Sequence, residues 1–75
     1  MIIIVNNGNE LLGHTLRTLR IIAQLKQEDV AGRSGLSIST IGKIEQGETG
    51  NVLLANLLKF ARSIDCEMEV RIVPR

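Results

Sequence analysis

Aromatic side chains are almost missing from these 75 residues: Phe60 stands alone, without tryptophan or tyrosine, although 44% of the chain is hydrophobic. Leu, Ile, Val and Ala must therefore fill the core, and so short a domain buries a smaller share of its surface than a typical one. Cysteine is equally scarce. Cys66 has no second cysteine to bond with, and no Cys/His cluster exists to hold a structural metal. Self-association is the staple that remains. No apolar run approaches the length of a membrane span, and Ile2 to Val5 has neither the charged lead-in nor the length of a signal peptide. The expectation is a cytoplasmic protein with no membrane partner. Charge of one sign is missing too, since nine Lys/Arg face eight Asp/Glu for a net +1. A strongly basic nucleic-acid binder is excluded, whereas a local basic face on a near-neutral body is not. Charged residues at 23% beside ample aliphatics argue against disorder. With no repeat, low-complexity tract or linker, residues 1–75 read as one domain.

What is present falls into short segments. Met1 to Val5 is apolar and β-branched, and it stops at Asn6-Asn7-Gly8-Asn9, a cluster that favours turns. A strand and a turn are expected there, with Asn9 capping a first helix whose Leu12, Leu16, Leu19 and Ala23 recur on one face. Gln27 to Ser34 forms a second, short helix, with Glu28 and Asp29 in the first turn where the helix dipole favours them and Val30, Ala31 and Ser34 on one side. Gly35 suits the left-handed position past its end, Leu36 plugs the corner, and Ser37 caps the next helix.

That third helix, Ile38 to Gln46, drawn at roughly 100° per residue, places Ile38, Ile41 and Ile44 on one arc with Ser39, Lys43 and Gln46 opposite. A fourth helix, Val52 to Ile64, carries Leu53, Leu57, Phe60, Ala61 and Ile64 on its core face, and Leu54 and Leu58 form a further apolar row. From Cys66 the pattern becomes strict alternation, with Cys66, Met68, Val70 and Ile72 against Glu67, Glu69 and Arg71, until Pro74 ends it. A half-buried strand over 66–73 is expected.

The run Leu19-Arg20, Gln27-Glu28-Asp29-Val30-Ala31 and Gly35-Leu36-Ser37-Ile38-Ser39-Thr40-Ile41-Gly42-Lys43-Ile44-Glu45-Gln46-Gly47 resembles the Xre/Cro helix-turn-helix pattern. The resemblance covers roughly residues 16–64, with caps, core positions and a helix-breaking glycine all at the family's offsets. It implies a mainly α, lambda-repressor-like bundle of four to five helices, to which short N- and C-terminal strands (1–5 and 66–73) add a sheet shared between subunits. A fourth helix running into a terminal strand also resembles HipB-type antitoxins, whose C-terminal strands pair across a dimer. Lys26 departs from the pattern, standing where the family usually has a Thr or Ser cap, so a poorly capped second helix is expected. Gly42 interrupts the third helix at about 1 kcal/mol relative to alanine, either admitting a close backbone or simply weakening the helix.

In such a motif the helix after the turn enters the DNA major groove. Lys43 can donate to guanine, Ser39 can serve either base type, and Ile38 can pack on a thymine methyl. By resemblance Gln27, Ser37 and Thr40 hold phosphates, with Gln46 added from the same outer face. Without the motif around it, this face reads as an ordinary solvated helix surface. Glu45 falls on the inward arc, where a charge needs a partner. Arg20 is the position that pairs with it in family members, so a structural Arg20 to Glu45 bridge is expected. Leu54, Leu58, Met68, Val70 and Ile72 are the expected dimerisation residues, with the N-terminal strands flanking the paired C-terminal ones; pairing of the first and last strands within one chain is the alternative.

His14 has no second ligand at a useful spacing, and Cys66 reads as a small inward hydrophobe. The segment from Gly35 to Lys43 is not a phosphate loop, because its glycines are seven residues apart and Ile44 replaces the required Ser/Thr. With no acid/base pair, nucleophile elbow or metal cluster, neither an enzyme nor a cofactor protein is expected. The leading expectation is a homodimeric, sequence-specific repressor on a palindromic double-stranded DNA operator, as the antitoxin of a toxin-antitoxin operon. The alternative is a protein-binding antitoxin or adaptor that neutralises a HipA-like kinase toxin, with DNA binding secondary.

Overall fold

The computed structural model describes residues 2–5, 9–47 and 53–70. Their order is β1 (Ile2–Val5), α1 (Asn9–Ile22), α2 (Gln27–Ser34), α3 (Ile38–Glu45), α4 (Leu54–Ser63) and β2 (Glu67–Val70). The expected turn at Asn6-Asn7-Gly8, all but Gly47 of the expected turn from Gly47 to Asn51, the expected helix start at Val52, and Ile72 with the end of the terminal strand lie outside the described residues. Asn9 falls inside α1 instead of ahead of it.

The core is built almost wholly from branched aliphatics around the one aromatic ring. Leu12, Leu16, Val30, Ile41, Ile44, Leu57, Ala61 and Ile64 are buried with Phe60, and Leu19, Leu25, Ala31, Leu36, Cys66 and Met68 pack half-buried on its margin. Each helix contributes one stripe at the 3.6-residue period, which is why the positions were legible from spacing. Two were not. Ala23 lies beyond the end of α1 and is exposed, and Leu53, at 66% exposure, is the residue preceding α4 instead of part of its core face. Ile38, the first residue of α3, is 50% exposed although the wheel places it at the edge of the inward arc.

Lys26 has no acceptor to offer the start of α2, and the helix solves this from the other side. Asp29 Oδ2 accepts a hydrogen bond from the Lys26 backbone N–H at 2.7 Å, the return half of a capping box. The expected poor cap is therefore corrected by the third residue of the helix.

Strands β1 and β2 pair in parallel within the one chain, with Ile3 opposite Met68 and Val5 opposite Val70. This is the within-chain pairing of the first and last strands that was the alternative to a sheet shared between subunits. The whole four-helix segment acts as the crossover that parallel pairing requires. In this two-stranded sheet the other edge of β2 has no partner among the described residues.

Candidate nucleic-acid interface

The turn between α2 and α3 is held by bonds that its own residues supply. Gly35 takes the left-handed conformation (φ 78°), which a side chain would strain, and its N–H donates to Ala31 O at 3.0 Å. Ser34 Oγ donates to Val30 O at 2.6 Å and accepts from Leu36 N at 3.1 Å, tying the helix end to the corner. Ser37 then caps α3: its Oγ accepts from Thr40 N at 3.1 Å and donates to Thr40 Oγ1 at 2.9 Å. These local bonds fix the direction in which α3 leaves the turn.

Packing fixes its rotation. Ile41, Ile44 and Glu45 are buried, so the opposite side of α3 must face solvent; Ser39, Lys43 and Gln46 are exposed there, Thr40 is half-buried, and Ile38 is exposed in the first turn at the edge of the buried arc. Gln46 is the residue just past the helix end. Of the base-reading candidates, Ser39 and Lys43 share one solvent-facing arc, and Ile38 is exposed beside it at the start of the helix.

Glu45 is 4% exposed, yet well satisfied. Arg20 grips it with two prongs, Nε to Oε2 at 2.6 Å and Nη2 to Oε1 at 3.0 Å, while Arg20 Nη1 donates to Leu25 O at 2.8 Å. The guanidinium thus ties α1 to α3 and to the α1–α2 turn. Its hydrogen bond to Glu45 raises the Arg20 pKa above the usual value, prevailing over the opposing effect of burial. Gln27 Nε2 donates to Glu45 Oε1 at 3.1 Å, so this phosphate candidate has at least one of its amide hydrogens engaged in the bridge. Ser37 is likewise engaged as a cap, whereas the Thr40 hydroxyl receives a bond and retains its own proton for an outside acceptor.

Sequence reasoning missed Arg17. Its Nε lies 3.9 Å from Glu45 Oε1 while its side chain is 57% exposed, a weak attachment that leaves the cation facing solvent. It lines an open cleft with His14, Gln27, Gly42 and Gln46, between α1, the start of α2 and the outer arc of α3. The signal was available: Arg17 stands three residues before Arg20, and helical residues at that spacing share a face. Gly42 has nothing among the described residues within 4 Å of where a Cβ would sit, so none of them needs it to be small.

A second glycine is decisive. A Cβ on Gly13 would overlap the Ile44 carbonyl oxygen and come within 3.2 Å of Gly47 N, so α1 and the end of α3 are in backbone contact. Gly13 sets how closely the solvent-facing helix is drawn onto the bundle. Of the expected dimerisation residues, Leu54 is 47% exposed, Leu58 is half-buried, and Met68 packs on the core. The side chain of Val70 and all of Ile72 lie outside the described residues.

Two helices joined at a glycine corner, the second with a solvated polar arc, form a helix-turn-helix, and residues 11–66 match the helix-turn-helix domain family. The chain belongs to this family. Among solved structures it is similar to the restriction-modification controller protein C.AhdI from Aeromonas hydrophila, at 42% identity and a TM-score of 0.71, over 79% of this chain and 88% of that one. No curated protein matches the chain. As a helix-turn-helix domain it is a DNA-binding transcriptional regulator, with α3 as the helix that leads from the turn. Among the described residues, no helix of the domain is long and apolar enough to cross a membrane.

Proposed function

We propose that this helix-turn-helix domain is a homodimeric, sequence-specific repressor that lays α3 of each subunit into the major groove of a palindromic operator. The observation that carries the reading is the outer arc of α3, where Ser39 and Lys43 face solvent, with Ile38 exposed beside them in the first turn, while Ile41, Ile44 and Glu45 anchor the helix from behind. Lys43 donates to guanine O6 or N7, Ser39 bonds a neighbouring base edge, and Ile38 packs on a thymine methyl. Thr40, Ser37, Gln46 and the second amide hydrogen of Gln27 meet phosphates, joined by Arg17 across the cleft. The open edge of β2 and the exposed Leu53 and Leu54 support a dimer in which C-terminal strands meet and each β1 flanks its own β2. Such a dimer sets two recognition helices about 34 Å apart, one turn of DNA.

The 42% identity to a restriction-modification controller supports control of a restriction-modification operon as the biological setting. A second reading, an antitoxin or adaptor that neutralises a HipA-like kinase toxin, is favoured by the net charge of only +1 and by the strand that follows α4. One experiment separates them. Mobility shift against a duplex selected from a random pool, with binding that falls steeply as salt rises and a dimer by light scattering, supports the repressor. Absence of any duplex affinity together with a tight complex with the product of an adjacent gene supports the second reading instead.

A further inference from the structure

The charge of this chain is unevenly placed. Arg33, Lys59 and Arg62 line one open cleft between the C-terminal ends of α2 and α4 with one carboxylate, Asp65, among the described lining residues; Glu67 lies on the far side of Arg62, in a neighbouring cleft. Three cations and one acid thus gather in one place on a chain whose overall charge is +1. Their environment accounts for little of this charge. Arg33 Nη1 donates to Ser63 O at 3.3 Å, a long bond that leaves the rest of its five N–H donors outward. Arg62 stands in the last turn of α4, where the helix dipole favours a cation, but Lys59 lies a turn earlier without that benefit. Neither Lys59 nor Arg62 has an ion-pair partner among the described residues. The serines on the floor have turned their hydroxyl protons inward, Ser34 to Val30 O and Ser63 to Phe60 O, both at 2.6 Å, so the cleft offers an anion its cations and little else.

The cleft shares no residue with the arc and cleft around α3. On α2, Gln27 and Arg33 are six residues apart, about 120° around the helix axis by the shorter way, so the two clefts open on different sides of it. We infer that the cleft formed by Arg33, Lys59 and Arg62 is a docking surface for an acidic protein segment, whose carboxylates pair with the two guanidinium forks and the ammonium while DNA occupies α3. The planar forks match carboxylates two oxygens at a time, which gives such a segment a register as well as attraction.

The test uses the full chain and a fluorescein-labelled octaglutamate peptide read by anisotropy at low salt. The expected result is binding that persists when a selected duplex saturates α3, weakens at least tenfold in the K59E/R62E double variant, weakens in the same direction but less in K59Q/R62Q, and is unchanged in Lys43→Ala. Lys43, Lys59 and Arg62 are all exposed, and circular dichroism melts check that each variant is folded. No peptide binding by the wild type, or equal loss in Lys43→Ala and K59E/R62E, overturns the inference. So does displacement of the peptide by duplex coupled to weaker duplex binding by K59E/R62E, since the cleft is then a phosphate contact. Failure of the duplex to bind the wild type at all is a separate result that strikes the repressor reading alone.

Discussion

Replacing Glu45 by alanine tests whether the α1–α3 tie is what holds the recognition helix. Glu45 accepts two bonds from Arg20 and one from Gln27 at 4% exposure, and the Arg20 side chain is itself only 11% exposed. Breaking a buried pair by deleting one partner typically destabilises by about 3–5 kcal/mol, because the surviving charge is stranded. Arg20 keeps its bond to Leu25 O and can turn partly to water, which places the expected loss near the lower end, about 3 kcal/mol. At about 4–8 °C per kcal/mol for a domain of this size, the melting temperature should fall by roughly 12–24 °C. The double change Arg20→Met with Glu45→Leu removes both charges and refills the volume, so it should lose well under half as much. The assay is a reversible thermal melt by circular dichroism for the wild type and Glu45→Ala, and for Arg20→Met, Glu45→Leu and their double variant read as a cycle. A Glu45→Ala protein that melts within about 2 °C of wild type would show that this carboxylate is solvated and that the bridge does not position α3.

Four further outcomes are expected. Gly13→Ala should destabilise by at least about 2 kcal/mol, since neither the α1 backbone nor the Ile44 carbonyl can rotate away, and it should weaken duplex binding by displacing α3; an unchanged melt counts against the close crossing. Gly42→Ala should stabilise by up to about 1 kcal/mol, because the new methyl meets nothing among the described residues; a lower melting temperature refutes the open environment assigned to it. Lys43→Ala should leave the fold untouched and lower affinity for a selected operator by about 1–3 kcal/mol, with relaxed preference at one base position; unaltered binding means that α3 presents another face. Removing residues 66–75 strips Cys66 and Met68 from the core margin and deletes β2, so light scattering should find a monomer or an unfolded chain, and a stable dimer would place the interface elsewhere.

The spans of α2 and α3 were legible because their signals are local. An acidic first turn, a glycine in the left-handed position, a serine cap and isoleucines at helical spacing all act within a few residues of one another, and the helices begin where those residues predict. The inward position of Glu45 followed from the same periodicity, and Arg20 as its partner came from the family resemblance. Periodicity gives the angle of a side chain about its own helix and says nothing of what another element brings opposite. Only the tertiary structure therefore decided that Arg17 and Gln27 join Arg20 at Glu45, that Gly13 lies against the carbonyl of Ile44, and that Leu53 precedes the core stripe of α4. The same holds for the sheet, where β1 and β2 stand at opposite ends of the chain and their parallel pairing depends on how four packed helices return the backbone. The basic cleft follows suit, since Arg33 and Arg62 meet across the α2–α4 contact although the segments carrying them are separated by all of α3. Local chemistry set the elements and the face each one buries, and non-local packing set which charges and backbones meet, because those contacts exist only after the elements have closed on one core.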